Sequence, residues 1–278
     1  MSARTREGAR VAATLSQAGW SAHIARVLGA WCEPPTVYQG GYVVIAMDLY
    51  DGNLDNYLES IRWRSEDISA GHICAIALQI LQGVASCHAA GVVHRNIKTQ
   101  NGSSRWRCRL KLVLYGHDPS SSYHSVGDTR FVLSGFSFSR EDGIEGISAE
   151  KHGTSGYRAP ELLASGQYSA KTDIWAFGCI LVEIATTGRG LAFRGDFDVM
   201  RYATDPNIDF AMATTAVNTT LTDEQKDGLD RIIGWTLRRN PDERPSGEEL
   251  YQEICSWGKI GSQYVVSSQP SSADHTYP

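Results

Sequence analysis

The chain has 278 residues, of which 42% are hydrophobic and 21% charged, and this composition is ordinary for a globular protein. Its formal net charge of −5 gives no electrostatic reason to expect a nucleic acid or an anionic membrane as a partner. The N-terminal residues are charged, and the longest strongly apolar stretch, Ile174 to Val182, is shorter than the about 20 residues that cross a bilayer. We therefore expect a cytoplasmic or nuclear protein that binds neither nucleic acid nor a membrane.

The N-terminal part of the chain predicts a helix and a hairpin. The helix has one apolar face, formed by Val11, Leu15 and Ala18. The apolar stretch Ile24 to Trp31 contains a glycine and is expected to be a turn. Thr36 to Gln39 and Tyr42 to Met47 predict two short strands around a Gly-Gly pair.

The middle of the chain predicts two helices followed by two strands. Leu54 to Ile61 has the pattern of a short helix, and His72 to Ala90 that of a long amphipathic helix. Strand-like segments follow at Leu110 to Tyr115 and Phe131 to Leu133. A polar loop rich in serine and glycine separates these two segments.

The C-terminal part is predicted to be helical. Asp173 to Thr187 is apolar on nearly all sides, which is typical of a buried helix. Leu229 to Leu237 and Leu250 to Trp257 predict two more helices, and Ser246 begins a capping box ahead of the second. From Gly261 onward the chain is polar and serine-rich, and we expect a disordered tail.

Six cysteines are scattered along the chain without a C-x-x-C pair: Cys32, Cys74, Cys87, Cys108, Cys179 and Cys255. This pattern favours reduced thiols that serve as small core residues. The alternative, a zinc site, lacks any supporting ligand spacing.

Four motifs occur in a fixed order on the predicted elements. They are 94–101 (HRNIKTQN), 153–161 (GTSGYRAPE), 173–178 (DIWAFG) and 239–246 (RNPDERPS). Together they resemble the catalytic loop, the end of the activation segment, the central helix and the late arginine motif of eukaryotic protein kinases. Within the catalytic-loop motif, Lys98 is the residue that is typical of Ser/Thr kinases.

The resemblance implies an α+β, protein-kinase-like fold. We expect residues 1–50 to be a remnant of the N-terminal lobe, residues 51–258 to be the helical C-terminal lobe, and residues 259–278 to be the tail. The segment 47–54 resembles the hinge between the lobes, so Asp48 and Tyr50 are expected to give a weak nucleotide contact.

Several motif residues have structural roles by this resemblance. Glu161 and Arg244 are expected to form a buried ion pair. Asp173 is expected to bind the backbone of the catalytic loop, and His94 to pack inside the lobe. Thr154 belongs to the activation segment. Retention of these residues indicates a folded C-terminal lobe and does not by itself indicate catalysis.

The residues that carry phosphoryl transfer are degraded. The catalytic base position holds Asn96, and an amide cannot accept the proton of a substrate hydroxyl. The metal-binding aspartate of D-F-G is replaced by Gly135, although Phe136 keeps the packing residue. Asn101 alone matches a metal ligand, and its role is doubtful because an insertion follows it at 102–109.

That insertion carries Arg105, Arg107 and Arg109. It predicts either a solvated loop or a basic docking patch. Upstream of Val11 the sequence has neither a glycine-rich phosphate loop nor the strand lysine, and we expect a truncated N-terminal lobe.

The predicted function is a pseudokinase, a binding or regulatory module in phosphosignalling. The alternative is an ATP-dependent Ser/Thr protein kinase seen as a fragment or an incomplete gene model; a decayed chain without function is a third reading. ATP and Mg²⁺ follow only from the resemblance, and we expect their binding to be weak or absent. A protein partner or self-association through the strand Tyr42 to Met47 is expected, because its edge lacks a partner.

Overall fold

The computed structural model describes residues 11, 22–34, 42–99, 113–117, 129–140, 145–147, 152–208 and 217–259. The described strands are β1 (Val27–Glu33), β2 (Tyr42–Met47), β3 (Gly52–Asn53), β4 (Val113–His117), β5 (Thr129–Leu133), β6 (Glu145–Ile147) and β7 (Gln167–Ser169). The helices are α1 (Leu54–Trp63), α2 (Ala70–Ala89), α3 (Pro160–Ser165), α4 (Ala170–Ala185), α5 (Asp196–Thr204), α6 (Asp223–Thr236) and α7 (Gly247–Gly258), with short 3₁₀ turns at Phe136–Phe138 and Pro241–Glu243. This is an α+β, kinase-like arrangement, as predicted.

The N-terminal hairpin differs from the prediction. The strand β2 pairs antiparallel with β1, so the stretch expected to be a turn is a strand. A register irregularity between Val27 and Gly29 interrupts the alternation of side chains, which explains why the sequence pattern hid the strand. The strand predicted at 36–39 lies outside the described residues.

Two small sheets and one bridge connect the hairpin to the helical body. β4 lies between β3 and β5 in an antiparallel sheet, and β6 pairs with β7. Residues 23–25 run alongside β5: the Ala25 amide donates to the Leu133 carbonyl, and the Leu133 amide donates to the His23 carbonyl, each at 2.8 Å. The upstream chain is thereby attached to the end of β5, two residues before Gly135.

Helix α4 is the centre of the helical body, as its sequence predicted. Its residues from Thr172 to Ala185 are all buried. Helix α6 approaches it closely at Gly178, where an added Cβ would lie 2.1 Å from the Thr236 hydroxyl oxygen. A glycine at this point therefore allows the two helices to pack.

By its length and composition, helix α2 is long and apolar enough to cross a membrane. However, 61% of its most apolar stretch is buried inside the protein. It packs on α7 and β5, and its buried face includes Ile73, Ile76 and Ile80. These contacts are those of a core helix in a globular protein.

The predicted helices of the body are present, and side chains cap their starts. Ser246 accepts from the Glu249 amide, and the Glu249 carboxylate accepts from the Ser246 amide at 2.8 Å, which completes the predicted capping box. A second capping box, between Thr222 and Gln225, begins α6. The short helices α3 and α5 were not predicted, because each spans fewer than three turns and offers little periodicity.

Some predictions fall on residues that the structure does not describe. These are the N-terminal helix beyond Val11, the metal-ligand position Asn101, the arginine-containing insertion at 102–109 and the tail from 260 onward. Val11 itself is helical and fully buried. Among the described cysteines, Cys74, Cys87 and Cys179 are buried free thiols, as expected of core residues.

Candidate functional site

The catalytic-loop motif is held by the carboxylate of Asp173 at the start of α4. Its two oxygens accept from the backbone amides of His94 and Arg95, each at 2.8 Å, and from His88 Nε2 at 2.9 Å. Burial alone would raise the pKa of Asp173, but the hydrogen bonds from His88 and from the backbone of the loop outweigh burial and hold that pKa below its usual value. The loop is therefore fixed to the central helix by an ionised, fully buried group.

His94 lies in the interior, where it joins the loop to the segment after β5. Its Nε2 atom is 2.9 Å from the Ser134 carbonyl oxygen, and its ring packs on Phe136 with 4.9 Å between centroids. Burial lowers the pKa of His94 below its ordinary value. A neutral imidazole therefore packs against the residue that follows Gly135.

Asn96, at the base position, is engaged by the activation segment. The Thr154 hydroxyl donates to Asn96 Oδ1 at 3.0 Å. The turn that carries Thr154 depends on two glycines with left-handed backbone, Gly153 (φ +100°) and Gly156 (φ +87°). A Cβ at Gly153 would lie 2.9 Å from the Arg95 carbonyl oxygen, so the motif GTSG is required to bring this segment against the loop.

Two further positions of the expected phosphoryl-transfer site are Lys98 and Gly135. Lys98 is 9% exposed to solvent, and burial lowers its pKa. Gly135 adopts a left-handed conformation (φ +82°) and begins the 3₁₀ turn that contains Phe136. A left-handed position suits glycine, and the residue contributes no ligand atom from a side chain.

The described residues of this site do not fit a magnesium ion. Hard divalent cations take oxygen ligands, most of them carboxylates in protein sites. Across the described ranges, no group of three or more His, Cys, Asp or Glu side chains could hold a metal. The base and D-F-G positions are filled by Asn96 and Gly135, and Asn101 lies outside the described residues.

The late motif is anchored by a buried ion pair. Arg244 donates from its two terminal nitrogens to the two carboxylate oxygens of Glu161, at 2.7 and 2.8 Å. The Arg244 side chain is fully buried and stacks over Trp175, with 4.9 Å to the ring centroid. The predicted pair therefore joins α3 to the segment before α7 across the central helix.

Comparison with known proteins agrees with this geometry. A family model described as protein kinase domain matches residues 12–255. The chain belongs to the protein kinase family. It is similar to the Ser/Thr-protein kinase Nek9 of Xenopus laevis, with 30% identity over 68% of the chain, and to mitogen-activated protein kinase 5 of Oryza sativa subsp. indica, with 32% identity over 54% of the chain. The matched parts make up 17% and 35% of those relatives, respectively.

The segment 47–54, which is expected to be the hinge, is tied to the residue before β1. Arg26 Nε lies 3.6 Å from an Asp48 carboxylate oxygen, and the Arg26 amide donates to the Tyr50 hydroxyl at 3.4 Å. Burial raises the pKa of Tyr50 above its ordinary value. Both expected nucleotide-contact residues are thus engaged with Arg26, while Leu49 between them is 99% exposed.

The structure also shows a polar group in the kinase core that the motifs did not indicate. The carboxylate of Glu183 on α4 accepts from the Thr99 hydroxyl at 2.6 Å and from the Tyr157 hydroxyl at 2.5 Å. Burial raises the pKa of Glu183 to about 7, against the effect of the two hydrogen bonds. The only hint in the sequence is that Glu183 is the one acid in the apolar stretch that follows Asp173, and a buried acid needs a partner.

A second group missed from the sequence holds the activation segment from outside. Arg158 donates to an Asp196 carboxylate oxygen at 2.7 Å and to the Gly153 carbonyl at 2.8 Å. It thereby links the start of α5 to the turn that carries Thr154. In the sequence, Arg158 is visible only as part of the motif GTSGYRAPE, and its partner Asp196 lies too far along the chain to be predicted from spacing.

Proposed function

We propose that this kinase domain acts as a pseudokinase, a binding or regulatory module in phosphosignalling that does not transfer phosphate. The observation that carries the proposal is the Asn96–Thr154 hydrogen bond. An amide occupies the base position within an otherwise intact loop, and its oxygen is engaged by a neighbouring hydroxyl. General acid–base catalysis is worth about 10²–10⁴-fold in rate, and Asn96 cannot supply it.

The second support is the missing carboxylate at Gly135. Phosphoryl transfer relies on metal ions that bridge the phosphates and neutralise developing charge. Losing the base and a metal ligand together removes two members of one catalytic unit. The retained residues His94, Asp173 and Arg244 are explained by folding, because each is buried and joins separate segments.

The second candidate is an ATP-dependent Ser/Thr protein kinase. It is favoured by Lys98, which is kept in the catalytic loop, and by the similarity to two proteins named as protein kinases. An amide at the base position can still hydrogen-bond a substrate hydroxyl, so low activity would be compatible with Asn96. The two candidates differ in one measurable quantity, the transfer of phosphate.

The test is a radiolabel assay on the purified chain with ATP, Mg²⁺ and a Ser/Thr peptide mixture. We expect no incorporation above a mock preparation. Lys98→Ala is the matched control, since activity from a contaminating kinase would persist in that variant. Incorporation that is present in the wild type and lost in Lys98→Ala would refute the pseudokinase proposal and establish the second candidate.

We further propose a cytoplasmic or nuclear location and a protein partner, with neither nucleic acid nor a membrane bound. The mild net charge supports this, and so does the burial of most of the apolar helix α2 within the protein. Cell fractionation tests the location: we expect the protein in the cytosolic or nuclear fraction and not in the membrane fraction.

A further inference from the structure

Three side chains form a ring of oxygen contacts between the catalytic loop and the activation segment. Glu183 Oε1 lies 2.5 Å from the Tyr157 hydroxyl oxygen, and Glu183 Oε2 lies 2.6 Å from the Thr99 hydroxyl oxygen. The two hydroxyl oxygens are 3.2 Å apart, and either of them can be the donor in that contact. Each of the three side chains therefore touches both of the others.

The number of protons in this ring depends on the state of Glu183. A neutral carboxyl group donates to Thr99, so that Thr99 can donate to Tyr157 and Tyr157 to Glu183, in one direction around the ring. An ionised carboxylate only accepts, and it takes the protons of both hydroxyl groups. The Thr99–Tyr157 contact then has no proton, although it is the direct link between the loop and the segment.

The surroundings favour the neutral carboxyl group. Glu183 is 3% exposed, and burial raises its pKa to about 7. The negative charge of Asp55 on α1 acts in the same sense. Among the described Lys, Arg and His side chains, none forms an ion pair with Glu183. Ionisation therefore leaves a buried charge that only two hydrogen bonds compensate.

The other titratable groups around the ring keep their states near neutral pH. Burial raises the pKa of Tyr157 and that of Cys179, which lies one turn before Glu183 on α4, so both groups stay protonated. On α1, the charges of Glu59 and Arg62 act on Asp55 with opposite signs. Glu183 is thus the member of the ring that titrates.

The ring holds the same turn that contacts the base position. The Tyr157 amide donates to the Thr154 carbonyl at 3.1 Å, and the Thr154 hydroxyl donates to Asn96. The turn 153–158 is therefore attached to the catalytic loop at two points, Asn96 and Thr99. The second of these points depends on the proton of Glu183.

We propose that a proton on Glu183 completes this ring and holds the turn 153–158 against the catalytic loop, and that loss of the proton releases the turn while the domain stays folded. Because the folded pKa of Glu183 lies above the ordinary value of 4.5, the ring is complete below about pH 7 and opens as pH rises. In the open state two hydroxyl oxygens face each other without a proton, and the buried charge attracts water. No step uses ATP, so this switch is independent of the proposed function.

Hydrogen exchange of the purified chain at pH 6 and pH 8 tests the proposal, after correction for the intrinsic effect of pH on exchange. We expect the amides of the turn 153–158 to exchange about tenfold faster at pH 8, relative to the amides of α7. A general loss of stability would change both segments by the same factor. Infrared spectroscopy detects the proton itself, since the band of a neutral carboxyl group should be present at pH 6 and lost at pH 8.

Glu183→Gln imitates the protonated state, because its amide both donates and accepts and does not titrate. We expect slow exchange of the turn at both pH values and no titrating infrared band. Thr99→Val keeps the branched shape and removes one hydroxyl group, so the turn should exchange fast already at pH 6. Tyr157→Phe should do the same and decides the matter if another variant fails to fold. Glu224→Gln, exposed on α6, should behave as the wild type does.

Three results would overturn the proposal. The first is an equal change of exchange in the turn and in α7 between the two pH values. The second is a Glu183→Gln variant that keeps the pH dependence of the wild type. The third is exchange at pH 6 that is unchanged in both hydroxyl variants, Thr99→Val and Tyr157→Phe.

Discussion

Glu161 and Arg244 lie 83 residues apart in the sequence and are joined by two parallel hydrogen bonds of 2.7 and 2.8 Å. The arginine side chain is fully buried, and the Glu161 side chain is 10% exposed to solvent. Such a bidentate pair has both specific geometry and strong hydrogen bonds. Removing either partner leaves the other charge without compensation in the interior.

We therefore predict that Arg244→Ala lowers the free energy of unfolding by roughly 3–5 kcal/mol. The variant loses the Glu161 pair and the stacking on Trp175 together. Chemical denaturation followed by tryptophan fluorescence measures the change. Arg201→Ala, at an exposed arginine of α5, is the control and should be nearly neutral. Equal effects of the two variants would contradict the buried-pair interpretation.

The central helix and the motif positions could be predicted from the sequence because their signals are local. The stretch from Asp173 onward is apolar on nearly all sides, and this property alone indicates burial. The motifs are short, so residues such as Asp173 and Arg244 could be assigned roles by position. The structure places these side chains where the resemblance implied.

Other features depend on contacts between distant segments and carry no local signal. Glu183, Tyr157 and Thr99 form one polar group, but they come from a helix, a turn and a loop. Each residue is ordinary in its own neighbourhood, and only folding brings them together. The strand β1 was missed for a different reason, since its register irregularity breaks the period-two pattern that identifies strands.

Asp67 supports a second prediction, on acid stability. Its carboxylate accepts from the Thr219 amide at 2.9 Å and from the Thr219 hydroxyl at 2.7 Å, and it pairs with Arg189. Burial opposes its ionisation, but these partners outweigh burial and lower the pKa to about 2. Because the folded pKa lies below the ordinary value of 3.8, the stabilisation is present above pH 4 and is lost as pH falls toward 2.

Asp67→Asn should accordingly lower the stability at pH 7 by about 1–2 kcal/mol. The loss of stability between pH 4 and pH 2 should also be smaller in the variant than in the wild type. Melting temperatures across this range measure both effects. Asp227→Asn, at an exposed position of α6, is the matched control. If the variant loses as much stability between pH 4 and pH 2 as the wild type does, other carboxylates cause that loss and the prediction for Asp67 is wrong.

Glu183 supports a third prediction, with the opposite sign. Its folded pKa is about 7, above the ordinary value of 4.5, chiefly because the carboxyl group is buried. Between these two values the folded state holds a proton that the unfolded state has released. The contribution of this group to stability therefore falls as pH rises from about 4.5 through 7.

Glu183→Gln retains the shape of the side chain and removes this titration. We expect the wild type to lose about 1–3 kcal/mol more than the variant between pH 5 and pH 8. Tyr157→Phe removes a hydrogen bond that favours the carboxylate, so it should move the wild-type transition to higher pH. Glu224→Gln, exposed on α6, should reproduce the wild-type profile. Parallel profiles for Glu183→Gln and the wild type would exclude this titration.

The last prediction concerns the hairpin of β1 and β2. One edge of β2 pairs with β1, and among the described residues no strand pairs with its other edge. Leu28 and Trp31 on β1 remain 56% and 48% exposed, respectively. An apolar strand edge without a partner invites strand addition from another molecule, and an isolated hairpin is marginally stable in water. We predict that the chain self-associates, or binds a protein partner, through this hairpin.

Val44 is the residue to change, because it lies directly opposite Trp31 in the register and so shares its exposed face. Val44→Lys places a charge on that face, and we expect the mass measured by light scattering to fall to that of a monomer. Val217→Lys, at a half-exposed valine outside the sheets, should leave the mass of the wild type unchanged. Hydrogen exchange separates specific pairing from fraying, since pairing protects the β2 amides in the wild type and Val44→Lys removes that protection. A wild type that is already monomeric at high concentration, with the hairpin amides protected, would contradict the prediction.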